Sequence, residues 1–167
     1  KIGSADDKLI DYYPEIQEAT GEFGPYPDRG RFFSEDDREV TFRHLATHTG
    51  GFMRAGEAPG TAWTYDTMGM STLMHTIAKQ YGYYDSENPD PKARRGDGEL
   101  IAKKIRDPIG ASWKWKYMNF KDHPPKAKLN LFGNYVHLLM NVRQDLARLG
   151  LLWLANGQWK DQQIIPA

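Results

Sequence analysis

The sequence predicts an α+β fold that is mainly helical. Three observations lead there. An apolar stripe with helical spacing runs from Thr67 to Tyr81, a second helical stretch covers Val142 to Ala155, and strand signal is confined to Gln163-Ile164-Ile165 near the end. The segment is therefore mainly helical, with little strand of its own.

Taken in order, the first 40 residues read mostly as loop, with an apolar knot at Leu9, Ile10, Tyr12, Tyr13 and Ile16. Gly21 to Gly30 is dense in glycine and proline and reads as an irregular surface excursion. Thr41 can cap a short helix over Phe42–Thr47, stopped by Gly50-Gly51. In the helix from Thr67 to Tyr81, Met70, Leu73, Met74, Ile77, Ala78 and Tyr81 fall on one face, and Gly82 follows as the stop. Residues 85–98 read as an exposed loop, and a helix over Glu99–Arg106 halts at Asp107-Pro108. Residues 111–130 are basic and aromatic without a clear period. The last helix, Val142–Ala155, has Asn141 as its cap, points Leu146, Leu149, Leu152 and Trp153 inward, and ends at Gly157.

Composition narrows the function classes. A chain of 167 residues suits one domain, able to bury roughly two-thirds of its unfolded surface. Its mean hydropathy of -0.70 is low, although aromatics at 13% supply large bodies for a core. That pairing suits a thin core, or a domain that leans on a partner segment. The formal net charge is zero, which argues against a nucleic-acid partner. There are no cysteines, so disulfides and thiol chemistry are excluded within this chain. No apolar run approaches the ~20 residues of a membrane span. Lys1-Ile2-Gly3-Ser4-Ala5-Asp6-Asp7 turns acidic at once and is not the pattern of a secretory signal. Compartment and oligomeric state stay open.

Chemistry concentrates in two stretches: Val40 to Phe52, containing Arg43-His44-Leu45-Ala46-Thr47-His48-Thr49-Gly50-Gly51, and Pro59-Gly60-Thr61-Ala62-Trp63-Thr64-Tyr65-Asp66-Thr67. Tyr65 follows a Pro-Gly-Thr turn and immediately precedes the strongest helix, so its ring projects from a fixed point. A phenol is a poor base at neutral pH, but a neighbouring ammonium favours its phenolate, which can take a proton from a serine hydroxyl. On position alone the favoured reading of Tyr65 is a half-buried structural tyrosine, one of nine.

These stretches resemble the β-lactamase-related family: class C β-lactamases, penicillin-binding proteins, and the esterases and amidases built like them. Asp107-Pro108-Ile109-Gly110 resembles the family's Pro-Leu-Gly-Met turn. Asp145-Leu146-Ala147-Arg148-Leu149-Gly150, with Asn156-Gly157-Gln158-Trp159 and Gln163-Ile164-Ile165-Pro166, resembles its late helix and following turn. Lys8 to Pro14 is similar to the stretch after the nucleophile's helix. The resemblance implies the helical part of a β-lactamase/transpeptidase-like fold, most of its antiparallel sheet outside this chain, with residues 1–167 a single partial domain. It implies acyl transfer: a serine attacks a carbonyl, a lysine one turn on and a tyrosine manage its proton, and backbone donors stabilise the oxyanion. By matching position Tyr65 is that tyrosine. Thr67 stands where the family usually has Asn, which leaves ester or amide hydrolysis open and weakens a claim on β-lactams.

No Ser-x-x-Lys occurs in the sequence, so the nucleophile's helix is expected before Lys1 and a far-wall strand after Ala167. The isolated chain is expected to be inactive, and no metal or organic cofactor is implied. His48-Thr49-Gly50 imitates the far-wall motif, and Thr76-Ile77-Ala78-Lys79 the nucleophile motif, each on the wrong side of Tyr65. Trp113, Trp115 and Tyr117 alternate with Lys114 and Lys116. They read as a substrate-selecting stacking surface, or as an amphipathic strand covering the core. The competing reading is a non-catalytic module that binds a carbohydrate or protein partner through those aromatics. A weaker one is a zinc site on His44 and His48, which share a helical face.

Overall fold

Local chemistry sets the element order, which the computed structural model describes for residues 1–18, 35–51, 57–84, 96–119, 134–140 and 142–166. A short helix α1 (Leu9–Tyr12) and 3-10 turns at Pro14–Glu18 and Asp36–Glu39 lead to α2 (Phe42–Ala46) and the long α3 (Thr67–Gln80). Helix α4 (Asp97–Ile101) continues as a π-helical turn over Ala102–Arg106. Strands β1 (Lys114–Asn119) and β2 (Asn134–Leu139), helix α5 (Arg143–Leu154), and the two-residue strands β3 (Gln158–Trp159) and β4 (Gln162–Gln163) complete it. The α+β expectation holds, and helix predominates.

Thr41 caps α2 as expected: its hydroxyl accepts the His44 N–H while His44 Nδ1 accepts the Thr41 N–H. The apolar knot becomes α1 and the turn after it, with Leu9, Tyr13 and Ile16 buried alongside Val40, Phe42 and Leu45. Asp66 caps α3 by accepting the Met68 N–H, and Gly82 ends it with φ 76°. Helix α3 packs against α1, α2, α4 and β2.

Its buried side differs from the expected stripe. Met70, Leu73, Met74 and Ile77 are half-buried and Tyr81 is exposed, whereas Ser71, Thr72, His75 and Thr76 are buried. Small polar residues can line a close helix contact because their hydroxyls bond within the helix: Thr72 donates to Met68 O and Thr76 to Thr72 O.

Two further expectations are corrected, and one of two open readings is decided. In α5, Leu146 (64% exposed) and Trp153 (68%) point outward, and Asp145 with Leu152 lies inside. Asp145 can be interior because Ser112 and Arg148 satisfy it, and that rotates the helix away from its most apolar face. Residues 97 and 98, read as exposed loop, begin α4 and are buried. The basic aromatic stretch is a strand, β1, paired antiparallel with β2, Trp115 opposite Leu138 and Lys116 opposite His137. The expected cap Asn141, the surface excursion at 21–30 and residues 85–95 lie outside the described residues.

A core cluster of Ile109, Trp113 and Leu152 collects Ile101, Ile105, Leu138, Leu149 and Trp159 around it. This joins α4, the hairpin, α5 and β3 into one packed unit.

Candidate functional site

The two chemistry-rich stretches meet. Helix α2 closes with a left-handed residue, His48 (φ 58°), its N–H bonded to Leu45 O and the Thr49 N–H to His44 O. The returning strand-like segment 61–66 fastens onto this end. Gly60 N–H donates to Thr49 O at 2.8 Å and Thr64 N–H to His48 O at 2.9 Å, and Asp66 N–H donates to His48 Nδ1 at 3.1 Å. Extended backbone alternates its faces, so Thr61, Trp63 and Tyr65 face outward while Ala62, Thr64 and Asp66 turn partly inward.

Tyr65 is 68% exposed, and its ring stacks on the His48 imidazole with centroids 5.0 Å apart and planes 29° from parallel. Trp63, equally exposed, stands edge-on to the same imidazole at 6.2 Å. No hydrogen bond among the described residues uses the Tyr65 hydroxyl. Thr67, the first residue of α3, is exposed next to this cluster. Tyr65, Trp63, His48 and Thr67 therefore form one accessible edge, with an imidazole as its floor.

The two tryptophans singled out in the sequence fall elsewhere. Trp113 is a core residue, 2% exposed and packed with Ile109 and Leu152, so it offers no stacking face. Trp115 is half-buried on β1, laid over Gly98, with the Arg106 guanidinium 5.0 Å from its ring centre. Lys114 and Lys116 alternate outward with these indoles inward, the pattern of a strand covering the core.

The imitations of catalytic motifs resolve as structure. Thr76 is buried with its hydroxyl bonded to Thr72 O, and Lys79 pairs with Glu15 at 2.8 Å. Thr49 bonds Thr47 through their hydroxyls. His44 and His48 each use Nδ1 as an acceptor of a backbone N–H. In a neutral imidazole that places the proton on Nε2, where a metal would have to bind. The pair is thus set against zinc, and no cluster of three or more candidate ligands exists among the described residues. No helix is long and apolar enough to cross a membrane.

His48 and Trp63 were not foreseen as part of the site. The signal for His48 was present: a histidine at a helix end just before Gly50-Gly51, where glycine or asparagine is usual. For Trp63 it was the alternation Thr61, Trp63, Tyr65.

No protein-family model matches the chain, and neither a curated protein nor a solved structure is significantly similar to it.

Proposed function

We propose that this chain is part of a serine hydrolase that cleaves an ester or amide through an acyl-enzyme, with Tyr65 as the proton-transfer residue. The supporting observation is the exposed phenol of Tyr65, its hydroxyl without a hydrogen bond among the described residues and its backbone fastened to the end of α2 on both sides. A structural tyrosine usually buries its ring or bonds its hydroxyl, and among the described residues Tyr65 does neither. In this reading a serine and lysine from outside residues 1–167 approach the Tyr65 edge, and Thr67 lines the cleft beside it. The fold would be the helical part of a β-lactamase/transpeptidase-like domain, consistent with the order of the sequence motifs. By itself the chain, at 19.1 kDa, would not turn over substrate.

The test is labelling of the naturally expressed protein with a fluorophosphonate, read by intact mass. A single adduct on a species heavier than this chain is expected, with Tyr65→Phe slowing its formation about a hundred-fold or more. No adduct, or equal labelling of Tyr65→Phe, overturns the reading.

A second reading is favoured by one observation: Trp63 and Tyr65 together form an exposed aromatic edge. A non-catalytic relative would bind a carbohydrate or protein partner there, rather than through Trp113 and Trp115. Quenching of tryptophan fluorescence by oligosaccharides, abolished by Trp63→Ala and without any fluorophosphonate adduct, would move the assignment to it.

A further inference from the structure

We propose that His48 is the positioning residue for Tyr65, and that protonation of its imidazole releases the phenol. The proposal rests on the reading of Tyr65 as the working residue. His48 holds the residues on either side of Tyr65 with two different groups: its carbonyl takes the Thr64 N–H at 2.9 Å and its Nδ1 takes the Asp66 N–H at 3.1 Å. Its ring then supports the Tyr65 ring from one face at 5.0 Å. One residue thereby sets the backbone and the ring plane of the phenol.

The backbone of His48 sharpens the argument. The equivalent left-handed position is Gly82 (φ 76°) after α3 and Asn156 (φ 51°) after α5, the residues that adopt it most cheaply. A histidine at φ 58° costs more there, and such a residue persists where its surroundings hold it in place. The helix end itself has no use for an imidazole. Tyr65 and Asp66 do.

Coupling to protons follows from the inventory of imidazole donors. Neutral His48 accepts at Nδ1 and carries its hydrogen on Nε2; the charged form donates from both nitrogens. A proton on Nδ1 would point at the Asp66 N–H, so that bond breaks, while the bond to the His48 carbonyl survives. The first residue after Tyr65, and the start of α3 with it, then loses its anchor. Among the described residues, the titratable groups around His48 are Tyr65 stacked on it and Asp66, whose carboxylate caps Met68 N–H. Glu57 takes the Thr64 hydroxyl at 3.4 Å, and His44, four residues earlier, is engaged through Nδ1 with Thr41.

The test is an NMR titration of the isotope-labelled protein, following His48 Cε1–H, the Asp66 amide and the Tyr65 ring. All three should move with one midpoint. His48→Asn keeps an oxygen acceptor near the Nδ1 position and suits the left-handed backbone, so the Asp66 response to pH should vanish while the fold is retained. His48→Gly makes the helix end an ordinary one but removes the clamp; the Tyr65 ring shifts should move to free-tyrosine values. In the active natural protein the same variant should slow acylation about a hundred-fold, the cost of a misplaced catalytic group. The proposal fails if the Asp66 and Tyr65 signals stay fixed while His48 titrates, or if His48→Gly leaves the Tyr65 ring where it was. A coupled titration together with full fluorophosphonate labelling of Tyr65→Phe would keep the clamp and reject Tyr65 as the proton-transfer residue; a coupled titration with no adduct on either protein would keep the clamp and reject the hydrolase.

Discussion

Asp145 has no solvent exposure, yet it carries an ionisable carboxylate into the packed side of α5. Both oxygens receive the Ser112 N–H at 3.1 Å, Oδ2 also takes the Ser112 hydroxyl at 3.0 Å, and Arg148 reaches Oδ1 at 3.4 Å. A buried carboxylate survives only with such partners, and here they tie the last helix to the approach to β1. Asp145→Ala should cost about 1–3 kcal/mol, because it removes the bonds from Ser112 and Arg148 and leaves space where a fully buried carboxylate stood. Asp145→Asn, which retains an acceptor, should cost less. Urea denaturation measures both; a loss below about 0.5 kcal/mol for the alanine variant would show the tie to be dispensable. The sequence marked this residue only as part of a late-helix motif. Counting apolar positions then oriented α5 wrongly, since a satisfied aspartate can take the interior place that periodicity assigns to Leu146 or Trp153.

Among the elements, α4 meets the β1–β2 hairpin in close contact at a place whose sequence suggested a loop. A Cβ on Gly98 would lie 2.6 Å from Trp115 Cδ1 and 2.8 Å from Cγ, closer than any real methyl approaches an indole. The ring cannot simply swing away, because Arg106 lies over it and its strand is paired with β2. Gly98→Ala gains roughly 1 kcal/mol of helix propensity, but should lose about 1–3 kcal/mol to overpacking. A net destabilisation is expected, accompanied by a change in near-ultraviolet circular dichroism. In a Trp115→Ala background the same glycine change should become neutral or stabilising, which a double-mutant cycle reads directly. Gly96-Asp97-Gly98 looks like a turn in sequence because glycine is a poor helix former. What places it in a helix is the indole that needs the missing side chain. By contrast α2 and α3 were legible, since Thr41, Gly82 and the helical spacing of apolar residues between Met70 and Tyr81 are local signals.

For the molecule as a whole, two buried groups set opposite slopes of stability with pH. Burial holds His75, wedged between the Tyr13 and Tyr84 rings, down from 6.5 to about 4. Its folded form therefore binds fewer protons than the unfolded chain, and its contribution is complete above 6.5 and lost as pH falls towards 4. Burial pushes Asp97 up from 3.8 to about 6, so its contribution is complete below 3.8 and lost as pH rises towards 6. Each spans on the order of 3 kcal/mol, and between pH 4 and 6 they oppose each other. Asp6 and Asp7, held below 3.8 by Arg43 and by Tyr12 respectively, act beneath that window. The wild-type profile should thus be flat from these two sources. Asp97→Asn should make stability climb from pH 4 to 6.5, and His75→Gln should make it decline from pH 4 to 6. Denaturation midpoints at pH 4, 5 and 6 decide it, and parallel profiles for the two variants would refute the assignment.

By itself the sequence determined the α+β class, the capped start of α2, the extent of α3 with its glycine stop, and the absence of disulfides. These rest on local rules: side-chain caps, helical periodicity and turn residues act within a few positions of one another. Only the tertiary structure decided that Trp113 is core, that Asp145 rather than Leu146 faces inward, and that His48 lies under Tyr65. Each of those depends on which distant backbone comes within a few ångströms. Burial and hydrogen-bond partners are properties of such meetings, and no periodicity within one segment encodes them.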